Sequence, residues 1–178
     1  MRGTIVLYVA TSLDGFIATE DGGVSWLEPV QSDDAGRYVE FFAGVDCLLV
    51  GSHTYVQILT FGEWPYGQKP TYVTTHRDLP LATEHVELVA GDLRELANEL
   101  REHHERIWLV GGAQLSRAFL RSNLVDEIWL SVVPLLLGGG VSLFGDSAGE
   151  HDLDRTDFRS NADGIVELRY CVAANDAG

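Results

Sequence analysis

"IWLVGGAQLSRAFL", residues 107–120, decides the fold: an apolar run from Ile107 to Val110 meets Gly111-Gly112 and passes directly into a segment with Leu115, Ala118 and Phe119 at helical spacing. The chain stops being extended and starts to coil within two residues, which reads as strand, tight turn, helix. A helix that opens at a strand end directs unpaired backbone N–H groups, and the positive end of its dipole, at whatever lies above the sheet. Two readings of the glycine pair stand. One is a strand-to-helix corner too crowded for side chains. The other is an anion site, where the missing Cβ lets the backbone approach a group such as a pyrophosphate. The G-x-G-x-x-G pattern of classical dinucleotide folds is absent, and Gly138-Gly139-Gly140 follows "VVPLLL" without opening a helix.

Working outward, apolar runs rich in β-branched residues occur at 4–10, 47–50, 71–74, 86–90, 107–110, 127–133 and 165–173, bounded by Gly, Pro, Asp or Asn. These are predicted strands. Between them lie helical spacings: Tyr38, Phe41 and Phe42; Leu93, Leu96, Ala97 and Leu100; and the segment after the glycine pair. Asp92 and Ser32 to Asp34 read as N-caps. The alternation predicts a three-layer α/β fold: a mixed, mostly parallel sheet with helices on both faces. "DFRSNADGIVELRYCV" (157–172), with a turn at Asn161 to Gly164, predicts an antiparallel hairpin at the C-terminal end. No repeat or linker divides residues 1–178, so one domain is expected.

The chain has 178 residues, 46% of them hydrophobic, enough to bury a substantial core. Twenty-seven acids against 12 Lys and Arg give a net charge of -15, which argues against non-specific nucleic-acid binding and against an anionic membrane. Any phosphate ligand must be held locally. The opening apolar run is too short to span a bilayer and reads as a core strand. Cys47 and Cys171 sit in apolar runs as small hydrophobes with no metal spacing, and the expected compartment is the cytoplasm.

Five stretches then line up in order: "YVATSLDGFIATEDGGVSWL" (8–27), "DCLLVGSHTY" (46–55), "PTYVTTHRDL" (70–79), "IWLVGGAQL" (107–115) and "LVDEIWLSVVPLLLGGGVSLF" (124–144). Together they resemble the dihydrofolate reductase superfamily, most closely the branch of the C-terminal reductase domain of bifunctional riboflavin-biosynthesis deaminase-reductases. The resemblance runs from about Ile5 to Tyr170. It implies hydride transfer from NADPH to a flat heterocycle or its ring-opened imine or carbonyl form, with the protein orienting the cofactor and excluding water.

Carried over position by position, Ala10 and Ile17 resemble residues that touch the nicotinamide, and the stretch 19–26 resembles a mobile loop with Gly22 and Gly23 as hinges. Gly51, Ser52, His53 and Thr54 resemble the family's G-R-x-T turn at the cofactor phosphates. Ser52 stands where an arginine is common, which weakens one phosphate contact and opens the choice between NADPH and NADH. Thr75, His76 and Arg77 resemble the strand end that meets the 2′-phosphate of the adenosine; a polar loop is the alternative. Val110, Gly111, Gly112, Ala113, Gln114 and Leu115 match the pyrophosphate turn.

On the substrate side, Asp34 and Asp33 are the nearest candidates for the family's catalytic acid, with a helix cap as the alternative. Lys69, the only lysine of the chain, falls near the family's grip on an anionic tail, or is a solvated turn residue. Ser131 and Thr54 match positions that face the active site, and Trp26 matches a tryptophan beside the substrate. Asp14, in "SLDG", and Asp126, in "VDE", read as structural. The resemblance implies a homodimer acting on a small-molecule substrate, a pyrimidine of the 5-amino-6-ribosylaminouracil phosphate type first. Dihydrofolate reductase proper, or a non-catalytic nucleotide-binding protein on the same fold, are the alternatives.

Overall fold

The strands predicted on either side of the glycine pair assemble into one eight-stranded sheet in the order β5-β4-β3-β6-β1-β7-β10-β9. The computed structural model describes residues 2–30 and 35–173. The strands are β1 (Thr4–Ser12), β2 (Phe16–Ala18), β3 (Cys47–Gly51), β4 (Thr71–Thr74), β5 (Val86–Val89), β6 (Arg106–Gly111), β7 (Glu127–Val133), β8 (Val141–Ser142), β9 (Leu153–Ser160) and β10 (Val166–Val172). The helices are α1 (Ala35–Ala43), α2 (Ser52–Leu59), α3 (Leu93–His103) and α4 (Ala113–Arg121), with a 3-10 turn at Ser25–Val30.

From β5 through β7 every neighbouring pair is parallel, because helices or long loops carry the chain back between them. β10 then runs antiparallel to both β7 and β9, giving the C-terminal hairpin. Its turn closes with Asn161 N donating to Ile165 O and Gly164 N donating to Asn161 O. β9 starts at Leu153, four residues before the sequence suggested. It is an edge strand exposed along almost its whole length, so no alternation of apolar residues marks its first half. The two-strand sheet β2-β8 was likewise unforeseen; β8 is two residues long.

Two apolar clusters flank the sheet. Ile5, Leu7, Leu109 and Ile128 pack under α3 and α4 against Leu100, Leu115 and the fully buried Phe119. Val6, Leu48, Val50 and Trp108 pack on the other face under α1 and α2, against Phe41, Tyr55 and Ile58. Helices therefore cover both faces. Asp92 caps α3 as expected, its carboxylate accepting from Arg94 N at 2.8 Å and Glu95 N at 3.0 Å. Asp126 accepts from Ile5 N at 2.8 Å, tying β7 to β1, and also from the buried guanidinium of Arg101, which in turn donates to Leu124 O. Its structural reading holds, with an arginine added. Among the described residues no helix is long and apolar enough to cross a membrane.

Candidate functional site

β3 and β6 are neighbours, and their register sets Val50 beside Gly111. Each strand ends directly in a helix, β3 in α2 and β6 in α4, so two helix N-termini stand side by side at the C-terminal edge of the sheet. Neither has a side-chain cap: the N-cap positions are Gly51 and Gly112. α3, by contrast, spends Asp92 on its own amides. The first-turn N–H groups of α2 and α4 are thus left for an outside acceptor, and two dipole ends of about half a positive charge each converge there.

The same corner is crowded. A Cβ on Gly51 would lie 3.3 Å from Gly112 N and 3.4 Å from Gly111 O, and one on Gly112 would lie 2.7 Å from Thr54 Oγ1. Gly111 has φ +117, a region that side chains disfavour, and the Gly111-Gly112 peptide is cis. The crowded-corner reading of the glycine pair holds, and the same lack of side chains leaves the backbone amides uncovered by a Cβ. Leu115 is buried in the core and Ala113 is buried, so both reach the site only through backbone; the Gln114 side chain is exposed.

Beside α2 opens a cleft of about 670 Å³, lined by Ser52, by Thr75, His76 and Arg77 after β4, and by Val89 to Leu93 between β5 and α3. Ser52 joins this cleft to the paired helix ends. Thr75 N donates to Val89 O at 2.9 Å, and Arg77 N donates to Thr75 Oγ1 at 2.9 Å. This compact turn leaves the His76 and Arg77 side chains exposed. The cleft is also lined by the acids Glu87, Glu95 and Glu99, while His76 and Arg77 sit together after β4.

On the α1/α2 face, Tyr8, Val110 and Trp129 belong to one cluster. Alternation along the strands puts Ala10 and Ser131 on that face too, directly opposite each other. Thr54 is one turn into α2, its hydroxyl against Gly112, and His53 beside it is exposed. Ile17 is half-buried in β2, and Trp26 is half-buried in the 3-10 turn, its indole N–H buried without a partner among the described residues. Gly22 has φ +84 in the loop that precedes Trp26.

One expectation falls elsewhere. Lys69 lies at the N-terminal edge of the sheet, its ammonium donating to Val45 O at 2.5 Å and standing 4.8 Å above the Phe42 ring. Gripping an anionic tail would require it to leave that carbonyl. Asp33 and Asp34, with the cap expected at Ser32 to Asp34, lie outside the described residues.

Other contributors were not foreseen. Gln57 on α2 donates to Gly22 O at 2.7 Å and so fastens the 19–26 loop to the helix whose N-terminus faces the cleft. Asp14 accepts from Ser12 Oγ, Leu137 N and Gly138 N, gripping the glycine-rich loop as well as its own turn. The Ser12 hydroxyl, with those amides, holds the Asp14 carboxyl below its ordinary value. A lone glutamine in a helix and an aspartate in "SLDG" carry no signal for partners this distant in sequence.

Residues 3–166 match the RibD C-terminal domain family. The protein YwjB of Bacillus subtilis (strain 168) is 36% identical over 156 residues, covering 86% of this chain and 89% of YwjB. A crystal structure from Shewanella sp. PV-4, whose protein carries a provisional riboflavin-biosynthesis name, is 29% identical and superposes with a TM-score of 0.84 over 97% of this chain and 99% of that one. The dihydrofolate reductase of Enterococcus faecalis, solved with NADP(H), shares the fold at 16% identity, with a TM-score of 0.71 over 99% of each chain.

Proposed function

The chain belongs to the RibD C-terminal domain family, and on that premise we propose that it is an NADPH-dependent reductase acting on a small pyrimidine-type heterocycle of the 5-amino-6-ribosylaminouracil phosphate kind. The observation that carries the reading is the pair of uncapped helix N-termini, α2 and α4, opening beside a cleft of about 670 Å³. The residues present fit a dinucleotide. Backbone amides after Gly51 and Gly112 would hold the diphosphate, Thr54 would add a hydroxyl, and His76 and Arg77 would face the 2′-phosphate in the cleft.

When bound, NADPH supplies the hydride. The chain's own residues orient and enclose. Ala10, Ile17 and Val110 offer a small apolar floor beside the paired helix ends, and Ser131 and Thr54 offer hydroxyls to ring substituents. The 19–26 loop, fastened by Gln57, would keep water out. Ser52 in place of a cation makes the preference for NADPH over NADH rest on His76 and Arg77.

The exposed edge of β9, with Phe158 55% and Leu153 42% exposed, supports a homodimer. Two unbridged cysteines agree with the cytoplasm. The deciding assay follows loss of NADPH absorbance with a ribosylaminopyrimidine phosphate and with dihydrofolate. Faster turnover of the pyrimidine is expected. Faster turnover of dihydrofolate would make the protein a dihydrofolate reductase, and NADPH binding without oxidation by either would make it a non-catalytic nucleotide-binding protein.

A further inference from the structure

Reduction of a C=N or C=O consumes a proton as well as a hydride, so a reductase site needs a path that supplies one. The sheet register lays out such a path. Ala10 on β1 stands opposite Ser131 on β7, Ser131 opposite Glu167 on β10, and Glu167 opposite Arg159 on the edge strand β9. Residues in register on neighbouring strands project to the same face, so these side chains form one file on the α1/α2 side, at about 4.8 Å per strand. At one end is the strand expected beside the ring; at the other Arg159, its side chain 57% exposed, meets solvent.

Glu167 is the unusual member. Among the described residues it is the only buried carboxylate, 7% exposed, in a chain with 27 acids. Burial of a carboxyl group is costly unless its surroundings use it. A cavity of about 10 Å³, lined by Tyr8, Trp129, Ser131, Glu167 and Arg169 among others, adjoins it. That is close to the space one water centre needs. Other ionisable groups on this face are the phenol of Tyr8, the guanidinium of Arg159 opposite on β9, that of Arg169 two residues along β10 and 3.7 Å above the Trp129 ring, the Asp157 carboxylate 3.7 Å from Arg159 and 3.9 Å from Arg169, and, farther along β7, Glu127 paired with Arg106.

We propose that Glu167 is a positioning residue that supplies the proton of reduction through Ser131; the proposal rests on the reductase reading above. NADPH, when bound, would supply a hydride to the carbon of the substrate's C=N or C=O, whose π pair would then rest on the heteroatom. That atom takes the Ser131 hydroxyl proton, the serine oxygen takes the Glu167 carboxyl proton, and the carboxylate is reprotonated from solvent along the β9 edge. Atoms and charge balance, with one hydride and one proton added to the substrate.

The test uses the full chain with NADPH and whichever of the two substrates turns over. Glu167→Gln should lower kcat by about 100-fold while leaving the Kd for NADPH within about twofold. Wild-type kcat should fall as pH rises; the Gln variant should be flat, and Glu167→Asp should recover part of the rate and the slope. Ser131→Ala should lose as much, and the double variant no more than the worse single one, because both lie on one path. A readout independent of turnover is 13C NMR of protein labelled at glutamate carboxyls: the resonance absent from the Gln variant should move on substrate binding to wild type and stay in place in Ser131→Ala. Wild-type kcat and pH slope in Glu167→Gln, or additive losses in the double variant, would overturn the proposal. Should Glu167→Gln fail to fold, retention of the pH slope in Ser131→Ala would overturn it equally. Failure of the wild type itself to oxidise NADPH is a different outcome, which removes the reductase reading and this role with it.

Discussion

Replacing Gly112 by alanine separates the two meanings of the glycine pair. The backbone at Gly112, with φ -71, accepts a side chain, and an added Cβ restricts the unfolded chain enough to stabilise by about 0.4–1 kcal/mol. Against this, the methyl would arrive 2.7 Å from Thr54 Oγ1, so the threonine must leave its rotamer. β-branched side chains are stiff at χ1, and such a displacement costs about 1 kcal/mol. The terms nearly cancel, and the melting temperature should move by no more than about 3 °C.

Cofactor affinity has no such compensation. The displaced hydroxyl would lose its charge-assisted hydrogen bond to the diphosphate, about 1.5–3 kcal/mol. NADPH should therefore bind about 10- to 100-fold more weakly by titration calorimetry. In Gly112→Ala/Thr54→Ala the clash is gone, yet affinity should stay low because the hydroxyl is missing. Undiminished NADPH binding by Gly112→Ala, or affinity restored by the second substitution, would show that the corner serves packing alone.

Other outcomes follow from the same geometry. Arg77→Ala should raise the Kd for NADPH by about tenfold and that for NADH by less than twofold, with the gap narrowing as salt rises, since Arg77 is exposed. Asp126→Ala strands the guanidinium of Arg101, whose side chain is 2% exposed; because Asp126 itself is 42% exposed and water can enter, a loss of about 2–3 kcal/mol in denaturant titration is expected, largely recovered by Arg101→Met in the same chain. Burial pushes the Cys47 thiol up to about 12, so alkylation at neutral pH should label the exposed Cys171 and reach Cys47 only on unfolding. The Asp14 carboxyl is held below its unfolded value by Ser12 and the 137–138 amides, so its grip is present above the ordinary aspartate range and lost as pH falls through the lowered value; the Leu137 and Gly138 amide resonances should shift only there.

The parallel core was legible because each strand is buried on both faces and reads as an unbroken apolar run, as at 47–50 and 107–110. α3 announced itself through Asp92, and the glycine pair announced a corner. β9 did not, because an exposed edge needs no apolar pattern, and "LDRT" has none. The two strand-to-helix corners of the candidate site were legible because a glycine marks each, at Gly51 and Gly112. Pairings between elements distant in sequence were not: Glu167 stands opposite Ser131 only through the hairpin register, and Gln57 meets Gly22 only through the packing of α2. Lys69 misled because a single cation in an acidic chain suggests a ligand, whereas it bonds a main-chain carbonyl at the opposite edge of the sheet.

The most direct measurement is a crystal structure of the chain with NADPH. The diphosphate should lie on the first-turn amides of α2 and α4, against Gly51 and Gly112, with the adenosine end in the cleft beside His76 and Arg77. A cofactor bound at another face, or crystals grown at saturating NADPH with nothing at those amides, would contradict this placement.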